Sequence, residues 1–238
     1  LAGRVRKVRL RSLTQGEILG NKPTFITKAF EHSFEQNEII NDRDELLRIA
    51  LRGGYPEAVR LEGRNRREWH KDYIGSLMER DLKEIANIRR KDAMKELVSV
   101  LAAWSSKFMD LSAIGSGLAI KRATLESYIN ALEALYLVER VRPWTNTDYD
   151  RIGRKSKLFF TDCGLMSSLL SWRFDDVKLN PDRISKLTET FVFNELAAQV
   201  DCAGGMYSIS HYRDREKREI DFLIERESQK IYVSEINT

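Results

Sequence analysis

Three carboxylates among the last fifty residues have types and spacing that could do chemistry together. They are Glu189 in a helical stretch, Asp221 inside Glu219-Ile220-Asp221-Phe222, and Glu235 in Val233-Ser234-Glu235-Ile236-Asn237. Phosphodiester hydrolysis needs a hard divalent cation on oxygen ligands, and Mg²⁺ usually takes one or two carboxylates while keeping several waters. Glu189, Asp221 and Glu235 are therefore candidate catalytic residues, with Asp221 and Glu235 as the candidate metal ligands. A basic group normally stands beside such carboxylates to stabilise the developing charge. Two residues after Glu235, on the same face of its strand, this chain has Asn237, which can orient a water but brings no charge.

Periodicity indicates how these residues are held. On a helix over 185–200, Glu189 shares a stripe with Val192, Phe193, Leu196 and Val200, and Glu195 lies off it. Near the start of such a helix, Glu189 would also be favoured by the helix dipole alone. In a strand over 219–225, Ile220, Phe222 and Ile224 share one face, leaving Asp221 with Glu219, Leu223 and Glu225 on the other. Ile231, Val233, Glu235 and Asn237 alternate along the next strand, which suits a site at the rim of a sheet. Each acid alone is explained as a solvated charge; their joint order favours a site. The basic turn of Arg213, Arg215, Lys217 and Arg218 either holds nucleic-acid phosphates or solvates a hairpin.

The middle of the chain reads as a winged helix-turn-helix. Asp110 can cap a short helix from Leu111, a turn over Gly117-Leu118-Ala119-Ile120 follows, and a second helix runs from Lys121 to about Tyr136. Leu125, Ile129, Leu132 and Tyr136 form its apolar stripe. Lys121, Arg122, Thr124 and Ser127 form a leading face suited to phosphates and base edges. Strands over 137–141 and 157–161 enclose a loop carrying Asp148, Asp150, Arg151, Arg154 and Lys155, which would be the wing. Lys121, Arg122, Thr124, Ser127, Arg151, Arg154 and Lys155 are thus the candidate nucleic-acid contacts. Glu126, Glu133, Asp148 and Asp150 dilute the positive field, so a protein partner remains an alternative. Gly115 to Lys121 is no P-loop, because Ile120 stands where a glycine should precede the lysine.

Upstream, a helix over 44–51 is expected, capped by Asn41 or Asp42 and stopped by Gly53-Gly54. A longer helix over 66–88 should follow, with Trp69, Tyr73 and Leu77 on one stripe and Ile74, Met78, Leu82 and Ile85 beside it. The alternating run Val5 to Leu10 reads as an edge strand, so the chain reads as a fragment entering mid-domain. Among 238 residues, 40 basic side chains nearly balance 36 acidic ones, giving +4, and only local clustering can favour an anionic partner. Cys163 and Cys202 supply neither a disulfide framework nor zinc spacing, which points to a reducing, cytoplasmic setting. No apolar run is long enough to span a bilayer, and no membrane association is expected.

Several segments, taken in order, resemble one family. These are Leu1-Ala2-Gly3-Arg4, Leu13-Thr14-Gln15-Gly16-Glu17, Gly53-Gly54-Tyr55-Pro56, Arg80-Asp81-Leu82, Lys157 to Leu165, Glu189-Thr190-Phe191-Val192 and Glu219-Ile220-Asp221-Phe222. Together they are similar to prokaryotic AAA-type P-loop ATPases that carry an uncharacterised carboxy-terminal domain. The resemblance implies a mixed α/β chain in three parts: the end of an ATPase core with a small helical lid over 1–60, a linker helix and winged helix over 61–165, and an incomplete restriction-endonuclease-like domain over 166–238. It implies ATP and Mg²⁺ bound by a core outside this chain, and oligomerisation through that core. In that family the last strand usually ends in Glu-x-Lys, and Asn237 departs from it. Two functions follow as expectations. One is a DNA- or partner-binding module on a degenerate nuclease-like fold. The other is a Mg²⁺-dependent DNA nuclease coupled to the ATPase.

Overall fold

Local capping chemistry sets the helix ends. In the computed structural model, which describes residues 9–33, 42–80, 91–145, 154–203, 207–214, 216, 218–227 and 229–233, Asp42 accepts from the Asp44 N–H and starts a helix over Arg43–Arg52. Gly53, at φ +72°, ends it. Asp110 accepts from the Ser112 and Ala113 N–H groups and starts Leu111–Gly117, as expected. The next helix, Arg122–Ala134, buries Leu125, Tyr128, Ile129, Ala131 and Leu132. Asn180 and Pro181 start the Pro181–Cys202 helix four residues earlier than expected, because an Asn cap and a proline in the first turn outrank apolar periodicity as a start signal. Glu189 therefore lies beyond the first turn, and the dipole explanation for it falls away.

Six strands among the described residues form one sheet: Lys107–Phe108 (β1), Val138–Pro143 (β2), Lys157–Phe160 (β3), Tyr207–Arg213 (β4), Glu219–Arg226 (β5) and Gln229–Val233 (β6). Their order is β1-β3-β2-β4-β5-β6. The expected hairpin is present, with Val138 opposite Phe160 and Val141 opposite Lys157, and β1 adds antiparallel to its outer strand. Beyond Val141, β2 leaves β3 and pairs in parallel with β4, Arg142 opposite Ser210 and Pro143 opposite His211. That short pairing joins the hairpin to the antiparallel β4–β5–β6 ribbon, so one sheet runs through both the 61–165 and 166–238 regions.

All four residues of β3 are buried, and alternation sends them into different packing layers. Leu158 and Phe160 join a large core with Leu47, Met94, Leu97, Leu125, Ile129 and Leu187. Phe159 belongs to a second core, with its ring 4.5 Å from Phe193 and 5.5 Å from Phe222. The helix Gly63–Glu79 turns its seam one position from the expected stripe: His70, Ile74 and Met78 are buried, while Trp69, Tyr73 and Leu77 are half-buried. Trp69 and Tyr73 stack at 5.3 Å with Tyr55 against both, which leaves His70 to pack inward and meet Ser168 Oγ at 2.7 Å. Expected helix residues Asp81, Leu82 and Ile85 lie outside the described residues, as does Arg4.

Three of the distinctive sequence segments meet at Asp162. Its carboxylate caps Cys163–Leu169 through the Leu165 N–H at 2.7 Å and accepts the Gly54 N–H at 2.8 Å. Gly54 O in turn accepts the Leu13 N–H at 2.8 Å. A Cβ on Gly54 would stand 2.2 Å from Leu13 O, and one on Gly164 2.4 Å from Arg52 O, so both approaches require glycine. The apolar strand ending in Asp162 is thereby accounted for by architecture.

Candidate functional site

Lys157, the first residue of β3, carries its ammonium into the acidic cluster. Its Nζ lies 2.9 Å from Glu189 Oε1, 2.9 Å from Asp221 Oδ1 and 2.6 Å from Glu219 Oε1. The lysine side chain is 4% exposed, against 12%, 18% and 31% for Glu189, Asp221 and Glu219, so the cation is the most enclosed member. Period two had already placed Glu219 and Asp221 on one face of β5, and that shared face is what lets both reach one atom. Glu235 and Asn237 lie outside the described residues.

Burial opposes the charge on Lys157, but the field of Glu189 and hydrogen bonds to Glu219, Glu189 and Asp221 outweigh it and hold the ammonium well above its ordinary value. Burial pushes the Glu189 carboxyl up, and Lys157 only partly offsets this. The donor set is the kind that suits Mg²⁺, yet the point where its oxygens converge is filled by a lysine nitrogen. Among the described residues no three His, Cys, Asp or Glu side chains are grouped to hold an ion. Among the described residues, Lys157 thus holds the point between the three acids.

Phe108, in β1, forms a wall beside this cluster. Lys157 Nζ lies 5.4 Å from its ring centre, the Arg213 guanidinium 4.8 Å, and the His211 ring 5.2 Å. On this wall opens a cleft of about 520 Å³ lined by Phe108, Pro143, Arg154, Lys155, His211, Arg213 and Asp214. The wing cations Arg154 and Lys155 thus share a cleft with Arg213 from the far end of β4. Asp214 is engaged by Arg218 at 2.6 Å, and Lys155 by Asp110 at 2.8 Å. His211 is 2% exposed and sets Nε2 against Lys155 O at 3.2 Å. Burial and then the neighbouring charge of Lys157 push His211 down to about 4, so its Nε2–H donates and the ring is neutral.

The other sequence candidates separate into two groups. Lys121, Arg122, Thr124 and Ser127 are all exposed, at the cap and along the outer face of Arg122–Ala134. Arg151 lies outside the described residues. Glu195, off the expected stripe, is nevertheless drawn inside, because the N-terminal segment covers that flank of the helix and its Gln15 N–H donates to Glu195 Oε1 at 2.8 Å. Burial, the largest influence, holds Glu195 at about 7.

Sequence reasoning missed Lys157, Glu219, Phe108 and His211 as site residues. One signal was present: Lys157 opens the run Lys-Leu-Phe-Phe, where a charged residue inside a buried strand needs partners. No local pattern marks Phe108 or His211, which a two-residue strand and a bulge between Ser210 and Tyr212 bring into place.

Comparison with known proteins gives families and relatives without assigned function. A family model described as a domain of unknown function (DUF8612) matches residues 43–176, more than half of the chain, and a second one so described (DUF4143) matches residues 185–238. Uncharacterized protein Mb2031c of Mycobacterium bovis and Uncharacterized protein Rv2008c of Mycobacterium tuberculosis are each 26% identical over 182 residues. Those matches cover 75% of this chain and 40% of each relative, so the chain spans well under half of their length. No solved structure matches. No helix among the described residues is long and apolar enough to cross a membrane.

Proposed function

Given that the chain belongs to the family described as a domain of unknown function (DUF8612), we propose that it is a nucleic-acid-binding module on a nuclease-like fold whose acidic site carries its own cation. The observation that carries this reading is the Lys157 ammonium at 2.6 to 2.9 Å from three carboxylates. An internal ammonium offsets one of the three negative charges that a strand of phosphates would otherwise meet and ties the acids to itself, beside the neighbouring basic cleft. The helix, turn, helix and hairpin over 111–160 support a winged helix, and the Pro181–Cys202 helix on the β4–β5–β6 ribbon supports a restriction-endonuclease-like relation. The length of the relatives leaves room for an AAA-type core using ATP and Mg²⁺ outside this chain, and for oligomerisation through it. A protein partner is the competing ligand, and a cytoplasmic setting accords with two free cysteines.

The rival reading, a Mg²⁺-dependent DNA nuclease, draws on the same atom. Lys157 brings to Asp221 and Glu189 the positive charge that Asn237 cannot supply at the strand position. A cleavage assay on labelled single- and double-stranded DNA with Mg²⁺ or Mn²⁺ separates the two. The binding module leaves both substrates intact with either ion. Metal-dependent cleavage that disappears in both Asp221→Ala and Lys157→Ala would replace it with the nuclease.

A further inference from the structure

The cleft beside Phe108 combines three features that the acidic cluster does not use. First, it draws its cations from two separate stretches of sequence, Arg154 and Lys155 from the approach to β3 and Arg213 from the end of β4. Second, those cations are unequally committed. Lys155 is held by Asp110, and Arg213 lies on the Phe108 ring with its Nε 3.9 Å from Glu219, a loose pairing that a stronger acceptor can replace. Third, a neutral ring lines the cleft: His211 is buried, hydrogen bonded to Lys155 O, and packed edge-on against Phe108, while the lining acid Asp214 is held by Arg218.

Size selects among anionic ligands. A volume of about 520 Å³ accommodates roughly one nucleotide. Cations along a groove with an aromatic and a proline wall are the equipment used for single strands, whose backbone tracks the charge while the sugar or base rests on apolar surface. The Lys157 ammonium matters here as well. With Glu189, Glu219 and Asp221 bound to this ammonium, which lies 5.4 Å from the Phe108 ring centre, the acids repel an incoming phosphate less than bare carboxylates would.

Resting on the nucleic-acid-binding reading above, we propose that this cleft is the seat of a single nucleic-acid strand, with Arg154 and Arg213 as its phosphate clamp and Phe108 as its apolar wall. The exposed face of Lys121 and Arg122 then makes at most outlying contacts.

Fluorescence anisotropy of the whole chain with a fluorescein-labelled oligothymidylate tests this. Arg154→Ala and Arg213→Ala should each weaken binding roughly tenfold and each lower the slope of log affinity against log salt by about one. Arg213→Lys, which keeps the charge, should recover most of the loss, while Lys121→Ala with Arg122→Ala should weaken binding less than either cleft change does. Thermal melts of each variant separate a lost contact from a lost fold. If Arg154→Ala and Arg213→Ala bind normally and the Lys121 and Arg122 changes abolish binding, the cleft proposal is overturned while the nucleic-acid reading stands. Equal competition by duplex DNA overturns the single-strand assignment. If the oligonucleotide does not bind and polyglutamate does, the nucleic-acid reading itself fails.

Discussion

Two buried charges flank the same short strand, and they are satisfied in opposite ways. Lys157 opens β3, and its partners are side chains: Glu189 from a helix, Glu219 and Asp221 from another strand. Asp162 stands two residues past the end of β3, and its partners are main-chain N–H groups of Gly54 and Leu165. Main-chain donors are fixed by the fold and cannot turn away to admit a ligand. Side-chain partners can be exchanged for another ion or for one another. The Asp162 end therefore reads as architecture, tying the N-terminal segment and the Arg43–Arg52 helix to Cys163–Leu169. The Lys157 end, lying against a basic cleft, is where the proposed function has its site.

The largest expected effect breaks that contrast at its cationic end. Lys157→Met keeps the stem but leaves three carboxylates facing one another in a half-buried site. Removing one partner of a buried ion cluster costs about 3 to 5 kcal/mol, and urea denaturation at neutral pH should register it. If the acids are exchangeable, millimolar Mg²⁺ or Mn²⁺ should return part of the loss in this variant and change the parent little. Lower pH should help as well, because Glu189 already has its carboxyl raised by burial and accepts a proton readily. A Lys157→Met chain that is destabilised but indifferent to both metal and pH would make the cluster as fixed as the Asp162 tie, and the contrast would collapse.

At the other end, Asp162→Ala strands two buried N–H donors and removes a helix cap, for a cost of about 2 to 3 kcal/mol. Here no metal response is expected, since nothing remains that could bind one. Asp162→Asn should recover some of the loss, because its amide oxygen can still serve one of the two donors. An Asp162→Ala midpoint in urea equal to that of the parent would mean that Gly54 and Leu165 find other acceptors, and that the meeting of the three segments does not depend on this carboxylate.

The two ends also differed in how much of them the sequence disclosed. Asp42 with Gly53, and Asp110 before Leu111, act within one turn of chain, so the ends of those helices could be read directly. The period of Glu189 directs it inward, where it lies, although Asn180 and Pro181, equally local, start its helix four residues before the apolar stripe suggests. Period two put Glu219 and Asp221 on one face. What lay beyond reach was the atom they share. Lys157 is separated by 32 residues from Glu189 and by 64 from Asp221, and only the departure of β2 from β3 to join β4 brings them together. Three acids suggest a metal site in the sequence, which displays ligands and hides a distant counter-ion. Glu235, the third member of that expected set, lies outside the described residues.

Glu195 offers an intermediate case, and with it the smallest predicted effect. It accepts one main-chain N–H, from Gln15 at 2.8 Å, and burial together with nearby Glu17 raises it to about 7. Because the folded value lies above the ordinary carboxyl range, the native state holds this proton longer than the unfolded chain does. Its contribution to stability is therefore complete at low pH and lost as pH rises from about 4.5 through 7. His70 and His211 act oppositely: both are buried and pushed down to about 4, so their contribution grows as pH rises from there to about 6.5. Glu195→Gln keeps an oxygen for the Gln15 N–H and removes only the titration. The variant should match the parent near pH 4.5 and exceed it by about 1 to 2 kcal/mol above pH 7, read from urea midpoints across pH. Parallel curves at every pH would show that one main-chain donor is enough to hold a buried carboxylate ionised. The Lys157 cluster would then need no ammonium to explain how its acids are tolerated, and the case for a built-in cation would rest on its chemistry toward a ligand alone.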